Sequence, residues 1–300
     1  MRNILRIIRK SGARASIAAA MALVMLALVF PATGCSSGTK EVSVGRALWN
    51  YDIITNNIAI YALQDKGYEV KIKDIADMGM MFAGIDQGTV DLYAQAWLPD
   101  THSSYMERAK NTVTGGDLWG GTCPYIWTIP TYVAEEHGIW SCADLKGKGD
   151  VFEGEITGME EGTGGTILSR NAIVTYGLED DLEYVPSSIA AMVAELDASY
   201  KLNKPIIVML WRPHPIFNRL ELTMLEDPLD AFGLDTVQWA MNGDFHNKNP
   251  EIVRFMNNFL VPRNDIEAMM ARNEEDGVKE DVLSREWYDK NKATVDSWWQ

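Results

Sequence analysis

The clearest indication of the fold lies in one stretch, Pro205-Ile-Ile-Val-Met-Leu-Trp-Arg-Pro-His-Pro215. Residues 206–210 form an unbroken apolar run, which is typical of a short strand buried on both faces of a parallel sheet. The run ends at Trp211, because the prolines that follow cannot continue a central strand. Ligands of open α/β sheets bind at the carboxyl ends of strands, so Trp211 and His214 are candidate binding residues. The alternative interpretation is that Trp211 only caps the hydrophobic core.

The rest of the chain alternates strand and helix patterns. In the first third, apolar spacing predicts the order β-α-β-α-β, with segments at 42–48, 54–66, 69–75, 80–87 and 91–97. This order predicts a parallel sheet with right-handed crossovers. In the second strand we expect Val70 and Ile72 to point inward. The later predicted segments are strands at 125–130, 154–162, 220–225 and 237–241, helices from 166 to about 176, from Ser188 to 200 and from Asn249-Pro250 onward, and a helical tail over 273–300.

A Gly- and Thr-rich segment at 110–123 indicates a crossing between two α/β lobes. We expect lobe I to comprise 41–122 and 216–300, and lobe II to comprise 123–215, with a cleft between the lobes. Aromatic residues follow three of the predicted strands, and we expect them to share this cleft. These residues are Trp49, Tyr51, Trp97 and Trp211.

The first 34 residues have the pattern of a targeting signal. Five basic residues accompany an apolar run at 17–30 that is too short for a comfortable membrane span. Ala32-Thr33-Gly34-Cys35 resembles the lipobox of bacterial lipoproteins, which implies cleavage before Cys35, lipidation of that cysteine and a short tether at 35–40. An ordinary secretory signal with an incidental cysteine is the alternative. We therefore expect an exported protein that is held to the cell membrane by a lipid anchor only and faces the extracytoplasmic side.

The charge and the cysteines limit the partners and the chemistry. Loss of the signal changes the formal net charge from −15 to −20, because the segment carries five basic residues and no acidic ones. Such a chain is a poor partner for nucleic acid or an anionic membrane surface.

Beyond Cys35, the sequence has an even number of cysteines, Cys123 and Cys142. We expect a disulfide between them, with two free buried thiols as the alternative.

Enzyme and metal motifs are missing from the sequence. There is no G-x-S-x-G elbow, no H-E-x-x-H and no P-loop, and the four histidines lack zinc-ligand spacing. We expect no metal, no cofactor and no catalysis. The turn Gly162-Thr163-Gly164-Gly165 precedes a helix, and its backbone N–H groups offer a site for a carboxylate or phosphate. A plain tight turn is the alternative interpretation.

Aromatic strand ends favour a cationic ligand. A quaternary ammonium group cannot donate an N–H hydrogen bond and is best held against several electron-rich rings, each worth about 0.5–2 kcal/mol. Three or four rings supply the roughly −8 kcal/mol of a micromolar complex. We expect Trp97, Trp211 and Tyr125 to form such a box with Trp49 or Tyr51. The tryptophans expected in core packing instead are Trp140, Trp239, Trp287, Trp298 and Trp299.

Several motifs together resemble the substrate-binding proteins of glycine betaine/choline ABC importers. They run in order along nearly the whole mature chain: Tyr51-Asp52, Ala96-Trp97-Leu98-Pro99 with His102 and Tyr105, Ser187-Ser188 with Met192, Leu210-Trp211-Arg212-Pro213-His214, and Leu225-Glu226-Asp227-Pro228 with Phe232-Gly233. The resemblance implies an α/β, two-lobed periplasmic-binding-protein fold of the type II kind, in which each lobe is a sheet flanked by helices and the ligand lies in the interlobe cleft.

The resemblance also implies roles for particular residues. Trp97 and Trp211 match the two tryptophans that hold the ammonium group, and Tyr125 matches a tyrosine of choline binders. Asp52 matches an acidic residue that offsets the ligand's charge or accepts a hydroxyl. Thr163 and Gly164 stand where the family's glycine-rich turn differs in sequence, and they are expected to hold the polar end of the ligand, together with His214 if its ring is not simply orienting the turn.

The sequence therefore predicts a monomeric, lipid-anchored solute-binding protein that delivers glycine betaine, choline, carnitine or proline betaine to an ABC permease and its ATPase. A sensory domain for the same compounds is one alternative. A small-molecule enzyme using His214, Asp52 and the Gly162 turn is another, although no base–nucleophile pair stands at suitable spacing.

Overall fold

The computed structural model describes residues 40–300. The expected signal peptide at 1–34, the lipidated Cys35 and most of the tether at 35–40 therefore lie outside the described residues. Within 40–300, no helix is long and apolar enough to cross a membrane. Residues 39–300 form one compact unit that contains two five-stranded sheets.

The first sheet has the strand order β2-β1-β3-β10-β4. Its strands are β1 (Lys40–Arg46), β2 (Tyr68–Asp74), β3 (Leu92–Leu98), β4 (Thr112–Gly115) and β10 (Thr236–Asn242). The first three strands are parallel, as the β-α-β-α-β pattern predicts. The sheet is mixed because β10 returns antiparallel to both β3 and β4.

The second sheet has the strand order β7-β6-β8-β5-β9. Its strands are β5 (Tyr125–Pro130), β6 (Glu155–Gly158), β7 (Glu183–Pro186), β8 (Val208–Trp211) and β9 (Leu222–Met224). Strand β8 is fully buried, as its apolar run predicts. The prediction that β8 lies in a parallel sheet is wrong on one side: β8 runs parallel to β6 but antiparallel to β5.

Helices cover the sheets on the patterns that the sequence predicts. They are α1 (Asn50–Asp65), α2 (Met78–Asp86), α3 (Ser103–Met106), α4 (Thr131–His137), α5 (Gly164–Tyr176), α6 (Ile189–Lys201), α7 (Ile216–Arg219), α8 (Gly243–Lys248), α9 (Pro250–Asn258), α10 (Arg263–Asp276), α11 (Glu280–Lys290) and α12 (Lys292–Ser297), with two 3-10 turns at Cys142–Leu145 and Gly149–Phe152. Ser188 caps α6 by accepting a hydrogen bond from the Ala191 N–H, as predicted. Asn249 precedes α9, but its side chain donates to the Phe245 carbonyl instead of capping the helix.

Two segments of the described chain connect the sheets. One runs from β4 to β5 and the other from β9 to β10, and they meet where Cys123 pairs with Asp235 in an isolated antiparallel bridge. Strand β9 lies beyond residue 215 yet pairs with β5, so the chain returns to the first sheet only at β10. The second sheet thus extends past the expected boundary at 215.

Three smaller predictions are wrong. Ile72 is 43% exposed because β2 is an edge strand of the first sheet, and Trp140 is 48% exposed rather than part of the core. Cys123 and Cys142 are free buried thiols and not a disulfide. Their positions differ: Cys123 lies at the crossing between the sheets, whereas Cys142 begins a 3-10 turn where its N–H donates to the Glu226 carbonyl.

Candidate functional site

Four aromatic rings pack against one another between the two sheets. Tyr51 and Trp97 come from the side of the first sheet, and Tyr125 and Trp211 from the second. The ring centroids are separated by 5.4 Å for Tyr51–Trp211, 5.8 Å for Trp211–Tyr125, 6.0 Å for Tyr125–Trp97 and 6.2 Å for Trp97–Tyr51. The predicted aromatic residues therefore meet in three dimensions, and each lobe contributes two of them.

The four rings face a small cavity. The enclosed space is about 20 Å³, and it becomes about 320 Å³ when the space open to solvent is included. Apart from the four rings, the lining residues are Trp49, Thr101, His102, Met159, Thr163, Gly164 and Gly165. The cavity therefore has aromatic walls and a polar end, where a histidine approaches the start of α5.

Tyr51 and Trp49 have different places in the site. Tyr51 lies in the first turn of α1 and contacts both Trp97 and Trp211. Trp49 precedes the helix and stacks on Tyr51, with ring centroids 5.9 Å apart and an interplanar angle of 17°. Tyr51 thus contacts rings from both lobes, whereas Trp49 lines both the cavity and the two grooves beside it.

The start of α5 forms one part of the polar end. The Thr163 hydroxyl accepts a hydrogen bond from the Thr166 N–H at 3.3 Å, which caps the helix. The first N–H groups of a helix have no partner within the helix, so those of Gly164 and Gly165 are free to meet an oxygen of a ligand. Glycine is required at both positions. A Cβ at Gly164 would lie 2.3 Å from the Thr101 carbonyl oxygen, and one at Gly165 would lie 2.1 Å from the Tyr125 hydroxyl.

His102 forms the other part of the polar end. Its Nδ1 accepts a hydrogen bond from the Trp97 N–H at 3.0 Å, so Nε2 carries the proton and is a donor. Burial lowers the pKa of His102 to about 3, which keeps the ring neutral. The sequence interpretation includes His102 only as part of a motif. The available signal for a binding role was its spacing of five residues from Trp97, across the strand end.

Asp52 does not line the cavity. It is fully buried behind Tyr51, where its carboxylate accepts hydrogen bonds from the Ala47 N–H at 2.7 Å, the Tyr93 hydroxyl at 2.5 Å and the Asn56 amide at 3.0 Å. Burial raises the pKa of Asp52 to about 7, against the lowering effect of these donors. The contacts indicate that Asp52 fixes the turn between β1 and α1.

His214 does not line the cavity either. Its Nδ1 accepts a hydrogen bond from the Ile216 N–H at 3.2 Å, and its ring packs edge-on against Trp211 at 4.8 Å. Burial, and to a lesser extent the charge of Arg219, lowers the pKa of His214 to about 3. Of its two possible roles, the contacts favour orientation of the turn that follows Trp211.

Two residues that support the box were missed in the sequence. Trp119 is buried behind it, with edge contacts to Tyr51 at 6.1 Å and Trp97 at 5.5 Å, and its Nε1 donates to the Thr55 hydroxyl at 3.2 Å. Met159 lines the cavity beside the Tyr125 hydroxyl. Its place between strand β6 and the glycine turn was the signal that pointed to it.

Two α/β lobes with an aromatic cavity between them define a solute-binding protein of the periplasmic-binding type. Residues 40–290 match the family described as the substrate binding domain of ABC-type glycine betaine transport systems, and the chain belongs to this family. The predicted family and fold are thereby confirmed.

Individual relatives agree with this assignment. The glycine betaine/carnitine transport binding protein of Listeria monocytogenes is 30% identical over 156 residues, a match that spans 51% of this chain and only 51% of that relative. A glycine betaine, L-proline ABC transporter binding protein from Borrelia burgdorferi has a similar structure, with a TM-score of 0.80 and 29% identity over 86% of this chain and 96% of that one. A lactococcal protein of the same kind, in a closed complex with glycine betaine, has a TM-score of 0.77 and 25% identity over 87% of this chain and 100% of that one.

Proposed function

We propose that this protein captures a small quaternary ammonium compound in the four-ring box and delivers it to an ABC permease that is driven by an ATPase. The observation that carries the proposal is the closed arrangement of Tyr51, Trp97, Tyr125 and Trp211, with neighbouring centroids 5.4–6.2 Å apart. The faces of such rings attract a cation that offers no N–H donor. The compounds of this class are glycine betaine, choline, carnitine and proline betaine.

The polar end of the cavity selects an oxygen on the ligand. The N–H groups of Gly164 and Gly165 and the Nε2–H of His102 are all donors, and Thr163 adds a hydroxyl. A carboxylate or a hydroxyl a few bonds away from the ammonium group satisfies them. Betaines and quaternary amino alcohols carry an ammonium group and an oxygen in this relation, and binding them needs no covalent step, so we assign the protein to binding and not to catalysis.

The two lobes close around the ligand. Each lobe supplies half of the box, so the ligand contacts all four rings only when the lobes meet. Contacts that do not involve the ligand also cross the cleft: the Tyr105 hydroxyl donates to the Gly162 carbonyl, and Thr101 packs against Gly164. We further propose that the protein acts as a monomer on the extracytoplasmic side, tethered by lipid on Cys35.

Calorimetric titration tests the proposal. The protein from residue 36 onward, titrated with glycine betaine, choline, carnitine and proline betaine, is expected to bind at least one of them with micromolar or tighter affinity. The ligand recovered after long incubation is expected to be unchanged by mass spectrometry. Absence of heat with all four compounds contradicts the ligand class, and turnover of any of them contradicts the assignment to binding.

A further inference from the structure

Glu160 stands at the edge of the aromatic box in a fixed position. It follows Met159, which lines the cavity, and precedes the turn that begins α5. Its carbonyl oxygen accepts hydrogen bonds from the Thr163 N–H at 3.3 Å, the Thr163 hydroxyl at 3.0 Å and the Thr166 hydroxyl at 2.8 Å. The backbone of Glu160 is therefore held by the same capping network that orients the polar end of the cavity.

One oxygen of the half-buried Glu160 carboxylate lacks a partner among the described residues. Its Oε2 is buried and has no hydrogen bond among residues 40–300. The nearest basic residue along the chain, Arg170, pairs instead with the exposed Glu161. Asp52, an acidic residue behind the box, already accepts hydrogen bonds from three donors. A buried carboxylate oxygen without a partner is costly, and a cation placed beside it removes part of that cost.

Glu160 lies beside the aromatic cavity, although it is not part of the cavity's lining. With Trp49, it lines both grooves that open beside the aromatic cavity, one toward α6 and α10 and the other toward α2. The pKa of Tyr51 and that of Tyr125 are raised mainly by burial, and the negative charge of Glu160 adds to both effects. Because Trp49 lines the aromatic cavity and both grooves, the carboxylate stands next to the box, where its charge acts on a bound cation.

We propose that Glu160 is a specificity-determining residue that favours ligands with a net positive charge, the class of quaternary amino alcohols such as choline, over zwitterions that carry their own carboxylate. A net cation in the box interacts favourably with Glu160. In a zwitterion, the attraction to the ammonium group is offset by repulsion of the ligand's carboxylate. This inference rests on the proposed function, since it assumes that the box holds a quaternary ammonium group.

The test compares two neighbouring carboxylates. Glu160→Gln and the matched control Glu161→Gln remove the same charge one residue apart, but Glu161 is exposed and already paired with Arg170. Each variant and the wild type are titrated calorimetrically with choline and with glycine betaine. In Glu160→Gln we expect choline binding to weaken about 10-fold and glycine betaine binding to change less than about 3-fold, whereas Glu161→Gln leaves both Kd values within about 2-fold. Glu160→Asp retains the charge and is expected to retain the preference of the wild type.

The outcomes separate this inference from the proposed function. If the wild type binds none of the quaternary ammonium compounds, the proposed function is wrong. If the wild type binds glycine betaine but not choline, or if Glu160→Gln changes both affinities equally or neither, Glu160 does not set specificity and the proposed function stands. Should Glu160→Gln fail to fold, judged by its thermal melt, Glu160→Asp decides: loss of the choline preference with the charge in place contradicts the inference.

Discussion

The ring of Tyr51 lies 5.4 Å from the ring of Trp211, at 63° to it, and this contact joins the two lobes across the cleft. Tyr51 is held by the first turn of α1, and Trp211 ends the buried strand β8. Neither ring can move far without disturbing a helix start or a sheet. The box is therefore preorganised within each lobe and assembled between them, so that ligand affinity depends on ring chemistry and on closure together.

Trp211→Ala is expected to weaken the binding of the preferred quaternary ammonium ligand by about 100-fold. The substitution removes one of the four ring faces and opens that side of the box to water. Calorimetric titration measures the effect. Trp140→Ala is the control, since Trp140 is 48% exposed and does not line the cavity. A Kd within about 3-fold of the wild type would mean that Trp211 serves the core and not the ligand.

Gly164→Ala is expected to weaken binding of every ligand by at least about 10-fold, because the added methyl group would meet the Thr101 carbonyl oxygen at 2.3 Å and keep the lobes apart. Small-angle scattering with saturating ligand should show a larger radius of gyration than for the liganded wild type. Gly79→Ala is the control; there the nearest atom is the Asp77 carboxylate oxygen at 3.1 Å, at the start of α2. Normal affinity and compaction in Gly164→Ala would contradict the closed geometry.

Tyr105→Phe is expected to raise the ligand dissociation rate several-fold without lowering the melting temperature of the ligand-free protein. The variant loses only the hydrogen bond to the Gly162 carbonyl across the cleft, and one such bond contributes about 0.5–1.5 kcal/mol. Stopped-flow tryptophan fluorescence gives the rate. In the control, Tyr132→Phe, the lost bond to the Lys204 carbonyl does not cross the cleft, so the ligand dissociation rate should not change. An equal effect of both substitutions would exclude a role for Tyr105 in closure.

Asp52 makes the stability of the protein depend on pH. Burial raises its pKa from 3.8 to about 7, so between these values the folded protein holds a proton that the unfolded chain releases. The free energy of unfolding therefore loses this contribution as the pH rises from about 4 to about 7. The pKa values of His102 and His214 are lowered by burial, so those residues act in the opposite sense.

Because Asp52 and the two histidines change the stability over the same pH range, the prediction concerns the difference in melting temperature between a variant and the wild type. The melting temperature of Asp52→Asn minus that of the wild type should increase from pH 4.5 to pH 8. At the higher pH the wild type contains a buried ionised carboxylate, which destabilises it, and the variant does not. Differential scanning calorimetry across this range measures the difference. A constant difference would show that Asp52 has an ordinary pKa in the folded state.

Cys123 and Cys142 are expected to titrate as two free thiols once the chain from residue 36 is unfolded in denaturant without reductant. In the folded protein both should react slowly with thiol reagents, since burial raises the pKa of Cys123 to about 12 and also raises that of Cys142. Absorbance during thiol labelling counts them. Absence of free thiols in the unfolded chain would indicate the disulfide that cysteine count alone suggested.

Much of the fold was predictable because its signals are local. The strand pattern before residue 98 and the apolar run at 206–210 each follow from the spacing of apolar side chains, and the structure has strands there. The direction of β10 was not predictable in this way, because an antiparallel return depends on which sheet edge is open after the chain has crossed twice. The same limitation explains β9, a three-residue strand whose place in the second sheet comes from pairing with β5.

The candidate site was predictable to the extent that it lies at strand ends. Trp97, Tyr125 and Trp211 end or begin strands, so sequence alone brought them to the cleft. Trp119 and Glu160 lie in connecting segments whose path is fixed by tertiary contacts, and nothing in their spacing revealed them. The places of Asp52 and His214 could not be told from the sequence for a related reason. Their type and position suggest a ligand contact, whereas their hydrogen bonds run to the backbone next to a ring.

The bridge between Cys123 and Asp235 has a mechanical consequence. The two segments that connect the sheets are paired with each other there. The Asp235 carboxylate also accepts hydrogen bonds from the Asp100 N–H and from the hydroxyl of Thr101, which lines the cavity. The connection between the sheets is thus joined by hydrogen bonds to the loop that contacts Gly164 across the cleft. We therefore expect a ligand in the box to be sensed at this connection, so that the relative orientation of the two outer surfaces reports whether the protein is loaded.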